Sequence, residues 1–255
     1  MEPTTPAMFE RVSFLERPLI GIAGVIGVGK SDLATKLSEK TRLPLYKEDV
    51  AENPYLNDYY APGGYEKYGF PLQVFLLNRR FKQYQTMVWQ GKGGIQDRTI
   101  FEDMIFARVL LDGGDMSRRD YDTYVDLFNT VCNGMRKPNL IVWLDAPSDV
   151  CLKRIVERAR GMEVSITLEY LTSLRVEYVS HMNALSKMVT VIKIEWSEFM
   201  NVDQVVEMVE GMYARETNVH VCEWRPIMQA LDKHGSPLDV ESYRKKKQHN
   251  TKLVL

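Results

Sequence analysis

Cysteine is scarce in this 255-residue chain: three residues, Cys132, Cys151 and Cys222, far apart and without metal-ligand spacing. That excludes a disulfide framework or a zinc module and points to reduced thiols inside a cell. Net charge is nearly absent too, at -1, which removes the electrostatic reason to expect nucleic acid or an anionic membrane as partner. No apolar run approaches membrane-spanning length. The opening Met-Glu-Pro-Thr-Thr-Pro has neither a secretory apolar region nor a clear transit-peptide pattern, so a cytoplasmic location is expected, with mitochondria left open. No internal repeat is visible.

What the chain does have is Gly24-Val-Ile-Gly-Val-Gly-Lys-Ser31, placed directly after the apolar run 18–23. Gly24-x-x-x-x-Gly29-Lys30-Ser31 fits a P-loop. Glycines permit torsions that let several N–H groups converge, and a helix opening at Lys30 adds its own unpaired donors. Lys30 would reach the β- and γ-phosphates and Ser31 a Mg²⁺ ion. A glycine-rich turn with a chance lysine is the competing reading, but strand, loop and helix occur in the required order. The expected nucleotide contacts are Gly24, Gly27, Gly29, Lys30, Ser31 and Asp32.

Short apolar runs alternate with long amphipathic ones. Strands are expected over 18–23, 42–47, 93–97, 139–145 and 188–195. Helices are expected over 30–41, 70–90, 100–111, 118–134, 148–159, 167–186 and 202–214. The alternation predicts an α/β fold: a five-stranded parallel sheet with helices on both faces and ligands beyond its carboxyl edge. Residues 1–17 and 216–255 fall outside the pattern, giving an N-terminal extension, a P-loop domain over 18–215 and a C-terminal extension.

Other residues cluster at the expected carboxyl edge. Glu48 follows the second strand and could take a proton from an attacking hydroxyl; a solvated acidic loop is an equal alternative, since Asp49 and Glu52 are as acidic. Asp97 ends the third strand, where a Mg²⁺ carboxylate would sit, and Arg98 could clamp a transferring phosphoryl group. Thr99 and Glu102 read as a capping box ahead of an apolar run, with Asp103 on a different helical face. Gln73 and Arg80 are two helical turns apart, roughly 10 Å along one face. A glutamine amide can read a base edge, although from these residues alone the plainer reading, the wet rim of an ordinary amphipathic helix, is the stronger. Arg154, Arg158 and Arg160 gather at a helix end, as capping cations or as a short arginine lid.

In sequence, P-loop 24–31, Glu48 ahead of Glu-Asn-Pro-Tyr-Leu56, Phe-Pro-Leu-Gln73 with Arg80, Asp97-Arg98-Thr99 with Asp103, Arg158-Ala-Arg160 and Leu168-Glu-Tyr-Leu171 resemble the deoxyribonucleoside kinases, the group that contains deoxycytidine, deoxyguanosine and deoxyadenosine kinases. The resemblance runs from about residue 18 to 215. It implies an ATP- and Mg²⁺-dependent kinase acting on the 5′-hydroxyl of a deoxyribonucleoside, with deoxyadenosine favoured and deoxyguanosine or deoxycytidine as alternatives. A thymidylate-kinase-type monophosphate kinase and an inactive nucleotide-binding subunit are the rival classes. The implied roles are Glu48 as base, Asp97 near Mg²⁺ and the 5′-oxygen, Arg98 on phosphate and Gln73 on the base. Arg80 and Asp103 close the inner end of the base pocket. Tyr65 (or Tyr68) and Glu169 hold the sugar 3′-hydroxyl, and Arg158 and Arg160 form the lid. Two departures stand out: Thr99 replaces the family's usual serine, and the lid reads Arg-Ala-Arg rather than Arg-Gly-Arg. The resemblance also implies a homodimer built through 70–90 and 118–134, extended to a tetramer if the terminal segments bridge subunits.

Overall fold

The computed structural model describes residues 18–48, 52–159, 163 and 165–213. Strand β1 (Leu19–Gly24) is buried along its whole length, as a central parallel strand covered on both faces must be. It lies between β3 (Gly94–Asp97) and β4 (Leu140–Asp145). β2 (Leu45–Tyr46) and β5 (Val191–Glu195) form the edges, giving the order β2-β3-β1-β4-β5 with every pairing parallel. The expected five-stranded parallel sheet is therefore present. β2 is shorter than expected because Arg42, in a left-handed conformation (φ 58°), caps the preceding helix and delays pairing.

Among the described residues the α-helices are α1 (Lys30–Thr41), α2 (Leu56–Tyr59), α3 (Gly64–Gln90), α4 (Asp103–Asp112), α5 (Arg118–Cys132), α6 (Ser148–Arg158), α7 (Leu168–Leu185) and α8 (Val202–Tyr213). They fall into two packed groups: α1 with α8, and a second in which α3 packs on α2, α4 and α5, α4 on α5 and α7, and α6 on α7. The sequence reading places the start of α3 at residue 70, with Pro71 near its first turn. The helix instead begins at Gly64 and carries Pro71 inside it. The short α2 has no counterpart in the sequence reading.

The capping box expected at Thr99 forms: the Glu102 carboxylate accepts the Thr99 N–H at 2.8 Å and starts a 3-10 turn, Ile100–Glu102, ahead of α4. Thr99 also packs against β1 at Gly21. A Cβ at Gly21 would lie 2.1 Å from the Thr99 Cγ2 methyl, so the bare backbone of Gly21 lets the segment after β3 close onto the central strand. The Arg98 N–H donates to the Ile22 carbonyl at 3.1 Å, continuing the β1–β3 ladder past its last paired residue. That places the ends of β1 and β3 side by side at the carboxyl edge.

Candidate active site

At that edge β1 runs into the loop 24–29. Gly24, Gly27 and Gly29 take φ values of 146°, 81° and 108°, torsions that side-chain-bearing residues rarely adopt. At Gly27 space is short as well, because a Cβ would meet the Cys151 carbonyl oxygen at 2.5 Å. The loop leads into the N-terminus of α1, so its N–H groups and those of the first helical turn share one anion-binding concavity. Lys30 is buried and donates to the carbonyls of Gly24 and Val25, both at 2.9 Å. Burial, reinforced by the nearby Arg98 charge, lowers the Lys30 ammonium to about 8. Asp32 lies outside this concavity, exposed and paired with Lys36 at 2.7 Å.

An open cleft enclosing about 850 Å³ runs from this loop toward α3. Lys30 and Ser31 line one end. Glu48, Arg80 and Arg98 line the middle, and Gln73, Leu72, Leu76 and Phe106 the inner wall. Tyr59, Tyr60, Tyr170, Arg158 and Glu163 complete the rim. Glu48 is held by two cations: it pairs with Arg80, and its Oε2 accepts from Arg98 Nε at 3.3 Å. Burial by itself would raise its carboxyl, but Arg80 and Arg98 outweigh that and bring it down to about 2. Arg80 also pairs with Asp103, which is fully buried behind it rather than exposed at the cleft wall. Burial pushes the Asp103 carboxyl up against the opposing pull of Arg80.

Several buried polar atoms here have no hydrogen-bond partner among the described residues: Gln73 Oε1, Arg80 Nε, Asp97 Oδ1 and Asp103 Oδ2. Such atoms are costly unless something else satisfies them; Gln73 and Arg80 line the cleft, so their unpartnered atoms point to a ligand there. Gln73 and Arg80 are the two residues that the sequence reading places on one helical face, and both are buried and line the cleft.

Asp97 tests the fit to Mg²⁺. It is buried at the end of β3 with Oδ1 unpartnered, and burial raises its carboxyl while a hydrogen bond from Ser31 lowers it. A hydroxyl and a carboxylate side by side are the hard oxygen donors that Mg²⁺ takes. No group of three or more His, Cys, Asp or Glu side chains that could hold a metal occurs among the described residues. The pair fits an ion completed by waters and phosphate oxygens rather than a protein cage.

The sugar-end assignments do not reach the cleft as expected. Glu169 lies in the first turn of α7, exposed to solvent; besides Glu48, the cleft is lined by the carboxylate of Glu163, buried and paired with Arg158. Tyr65 does not line the cleft but stacks behind Tyr170, with centroids 5.4 Å apart, and Tyr68 does not line it either. The tyrosines at the rim are Tyr59, Tyr60 and Tyr170, with the Tyr59 and Tyr170 hydroxyls 3.1 Å apart. Arg158 lies at the C-terminal end of α6, half-exposed at the cleft. Arg160 and Asp49 lie outside the described residues. Arg154 is not at the cleft; it donates to the carbonyls of Val28 and Ser197 and covers the Phe199 ring at 4.3 Å. Tyr59, Tyr60, Tyr170 and Glu163 line the cleft although the sequence reading assigns none of them to it. Helical phase could have separated Glu169 from its inward neighbour Tyr170, but no sequence signal singles out Tyr60 among its tyrosine neighbours.

Residues 20–216 match the family model described as deoxynucleoside kinase. The chain is 42% identical over 213 residues to a deoxyadenosine kinase of Dictyostelium discoideum, covering 84% of this chain and 86% of that protein. It is 34% identical over 202 residues to a deoxyadenosine/deoxycytidine kinase of Bacillus subtilis (strain 168), covering 77% and 91%. The solved structure of a deoxyadenosine kinase from M. mycoides with bound dCTP superposes with a TM-score of 0.67 at 28% identity, covering 77% of this chain and 98% of that one. A family match over most of the chain sets aside the monophosphate-kinase alternative. With a P-loop at the end of β1, a cleft beside it and that match, the chain belongs to the deoxynucleoside kinase family, enzymes that phosphorylate deoxyribonucleosides.

Proposed function

We propose that the chain transfers the γ-phosphoryl group of ATP to the 5′-hydroxyl of deoxyadenosine. The observation that carries the choice of base is Gln73 Oε1, a buried acceptor without a partner on the cleft wall, with the unpartnered Asp103 Oδ2 behind it on Arg80. An adenine brings an exocyclic amino group whose N–H bonds match such an acceptor. Thymine brings a carbonyl there and would leave it unpaired, a mismatch that a polar pocket rejects strongly. The deoxyadenosine kinase from Dictyostelium discoideum supports the same base.

The roles follow from position. The P-loop N–H groups and Lys30 hold the donor phosphates, and Arg158 approaches them from the rim. Ser31 and Asp97 would hold Mg²⁺, which would neutralise charge on the donor phosphates. Glu48, ionised at any working pH, accepts the hydrogen bond of the 5′-hydroxyl and takes its proton as the bond to phosphorus forms. A weak base suffices, because phosphoryl transfer depends mainly on positioning and charge stabilisation. Arg98 faces the transferring group. Tyr60 and Glu163 hold the 3′-hydroxyl. Transfer of label from γ-labelled ATP to the four deoxyribonucleosides and their monophosphates tests the reading. Deoxyadenosine should be the best acceptor; thymidine used as well, or a preferred monophosphate, overturns it.

The kinase domain is proposed to span 18–215, in the cytosol, where Cys132 and Cys151 remain buried free thiols. A dimer through α3 and α5 is proposed as well, since Trp89 and Leu127 on these helices are exposed. The segments 1–17 and 216–255, read as arms joining dimers into a tetramer, lie outside the described residues. Sedimentation of the full chain beside one ending at residue 215 tests the arms: an unchanged assembly removes them.

A further inference from the structure

Arg98 is fixed more heavily than a phosphate contact requires. Its backbone takes φ 66°, a left-handed torsion uncommon for a residue with a side chain. Its guanidinium lies 4.8 Å over the Phe106 ring. Nε donates to Glu48, and Nη1 donates to the Tyr178 hydroxyl at 2.7 Å. Tyr178 comes from α7, is fully buried, and stands edge-on to the same Phe106 ring at 6.2 Å. No motif in the sequence singles it out.

The Tyr178 hydroxyl has a second bond, and the direction of both is fixed by chemistry. An arginine can only donate and an ionised carboxylate can only accept. The phenol oxygen therefore accepts from Arg98 and passes its own hydrogen to Glu102 Oε2 at 2.7 Å. The same Oε2 accepts the N–H of Gly24, the first P-loop glycine, at 3.1 Å, while Oε1 takes the Thr99 N–H. One buried chain thus runs from Arg98 through Tyr178 and Glu102 to Gly24. Arg98 Nη1 and Glu102 Oε2 also form an ion pair, but at 3.6 Å they are beyond hydrogen-bond length and only the Tyr178 hydroxyl bonds to both. A tyrosine that merely filled the core would need one partner for its hydroxyl. Both partners here belong to the site: one lines the cleft, the other holds the P-loop.

We propose that Tyr178 is a positioning residue for phosphoryl transfer: its hydroxyl sets the orientation of the Arg98 guanidinium and, through Glu102, ties it to the P-loop. The inference rests on the kinase reading above, with Arg98 at the transferring group. The chain spans the two halves of the reaction, so its loss acts on the step in which both must be aligned. It should affect kcat and leave nucleoside binding nearly untouched.

The test is Tyr178→Phe, which deletes the hydroxyl and keeps the ring. Steady-state kinetics should show kcat lower by roughly ten- to a hundredfold, with KM for the nucleoside within about twofold, as a small misplacement of a reacting group costs. In an Arg98→Lys background the same change should cost less than about twofold, because residues acting through one another are not additive. A purely structural tyrosine would lower the thermal midpoint, leave kcat per folded enzyme unchanged and cost the same in both backgrounds; that result overturns the proposal. If Tyr178→Phe does not fold, Glu102→Gln, which weakens the acceptor at the far end, should give the same kcat-specific loss, and full kcat there is equally fatal. The ratios are taken on whichever deoxyribonucleoside the unmodified protein phosphorylates. Failure on deoxyadenosine alone therefore counts against the substrate reading and not against Tyr178.

Discussion

The two halves of the cleft are built from different material. The half proposed for the donor is backbone: a run of eight residues, 24–31, whose glycines and helix start turn N–H groups toward one point, with a single lysine folded onto its own loop carbonyls. The half proposed for the acceptor is side chain: Glu48 after β2, Gln73 and Arg80 on α3 and Tyr170 on α7, with Asp103 on α4 behind Arg80. Its charges are paired with one another. A backbone site recognises what all triphosphates share. A side-chain site can discriminate, because each member can change without disturbing the local chain path.

The sharpest way to break this comparison is to remove one working group from each half. Glu48→Gln should lower kcat by about 10²–10⁴-fold with the ATP KM little changed, the usual cost of a positioned base. Lys30→Ala should cost about 10²–10³-fold, as removal of one charge-stabilising donor does, and should raise the ATP KM as well. If Asp49→Asn costs more than Glu48→Gln, the base is misassigned. Next in size is Arg80→Met, which strands the buried Asp103 and half of the Glu48 pairing. Removing one partner of a buried ion pair destabilises by about 3–5 kcal/mol, readable in urea unfolding, and deoxyadenosine kcat/KM should fall with it. No comparable unfolding shift is expected for Lys30→Ala, whose partners are loop carbonyls.

The halves should also differ in pH. Lys30 at about 8 means that the free enzyme loses this charge as pH rises through 8, so kcat/KM for ATP should decline about tenfold per unit well above it. Bound phosphates stabilise the ammonium, so kcat should stay flat further into alkali. Glu48, depressed to about 2, contributes stability that is complete above its unfolded value near 4.5 and lost as pH falls toward 2. An acid limb in kcat centred near pH 5 would contradict that placement of Glu48. The smallest test concerns the sugar end. Glu163→Gln should raise the deoxyadenosine KM about tenfold, the cost of weakening a charge-assisted hydrogen bond, whereas Glu169→Gln should stay within about twofold.

The same contrast explains what the sequence could convey. The P-loop was legible because its function is contiguous, and the five strands because buried parallel strands read as short apolar runs. Gln73 and Arg80 were legible as a pair because one helix joins them. Tyr60 was not: Tyr55, Tyr59, Tyr60, Tyr65 and Tyr68 have equal claims in the string, and only the turn made by α2 decides which face the cleft. Glu163 and Glu169 differ in the same way, since the start of α7 at Leu168 turns Glu169 outward. The long α3 was cut short because Pro71 reads as a first-turn residue although the helix has begun a full two turns earlier.

The contact between Gly21 and the Thr99 methyl, 2.1 Å from where a Cβ would stand, links two positions seventy-eight residues apart in their future as well as in space. With threonine at 99, alanine at 21 can enter β1 only if the Thr99 side chain turns or the Asp97-Arg98-Thr99 segment shifts. With serine at 99 the methyl is gone, and the remaining neighbours, the Cβ of residue 99 at 3.6 Å and Ile141 Cγ1 at 3.5 Å, stand at ordinary contact distance. Change at the two positions is therefore coupled: an alanine at 21 is accommodated more readily after position 99 has shed its methyl than before.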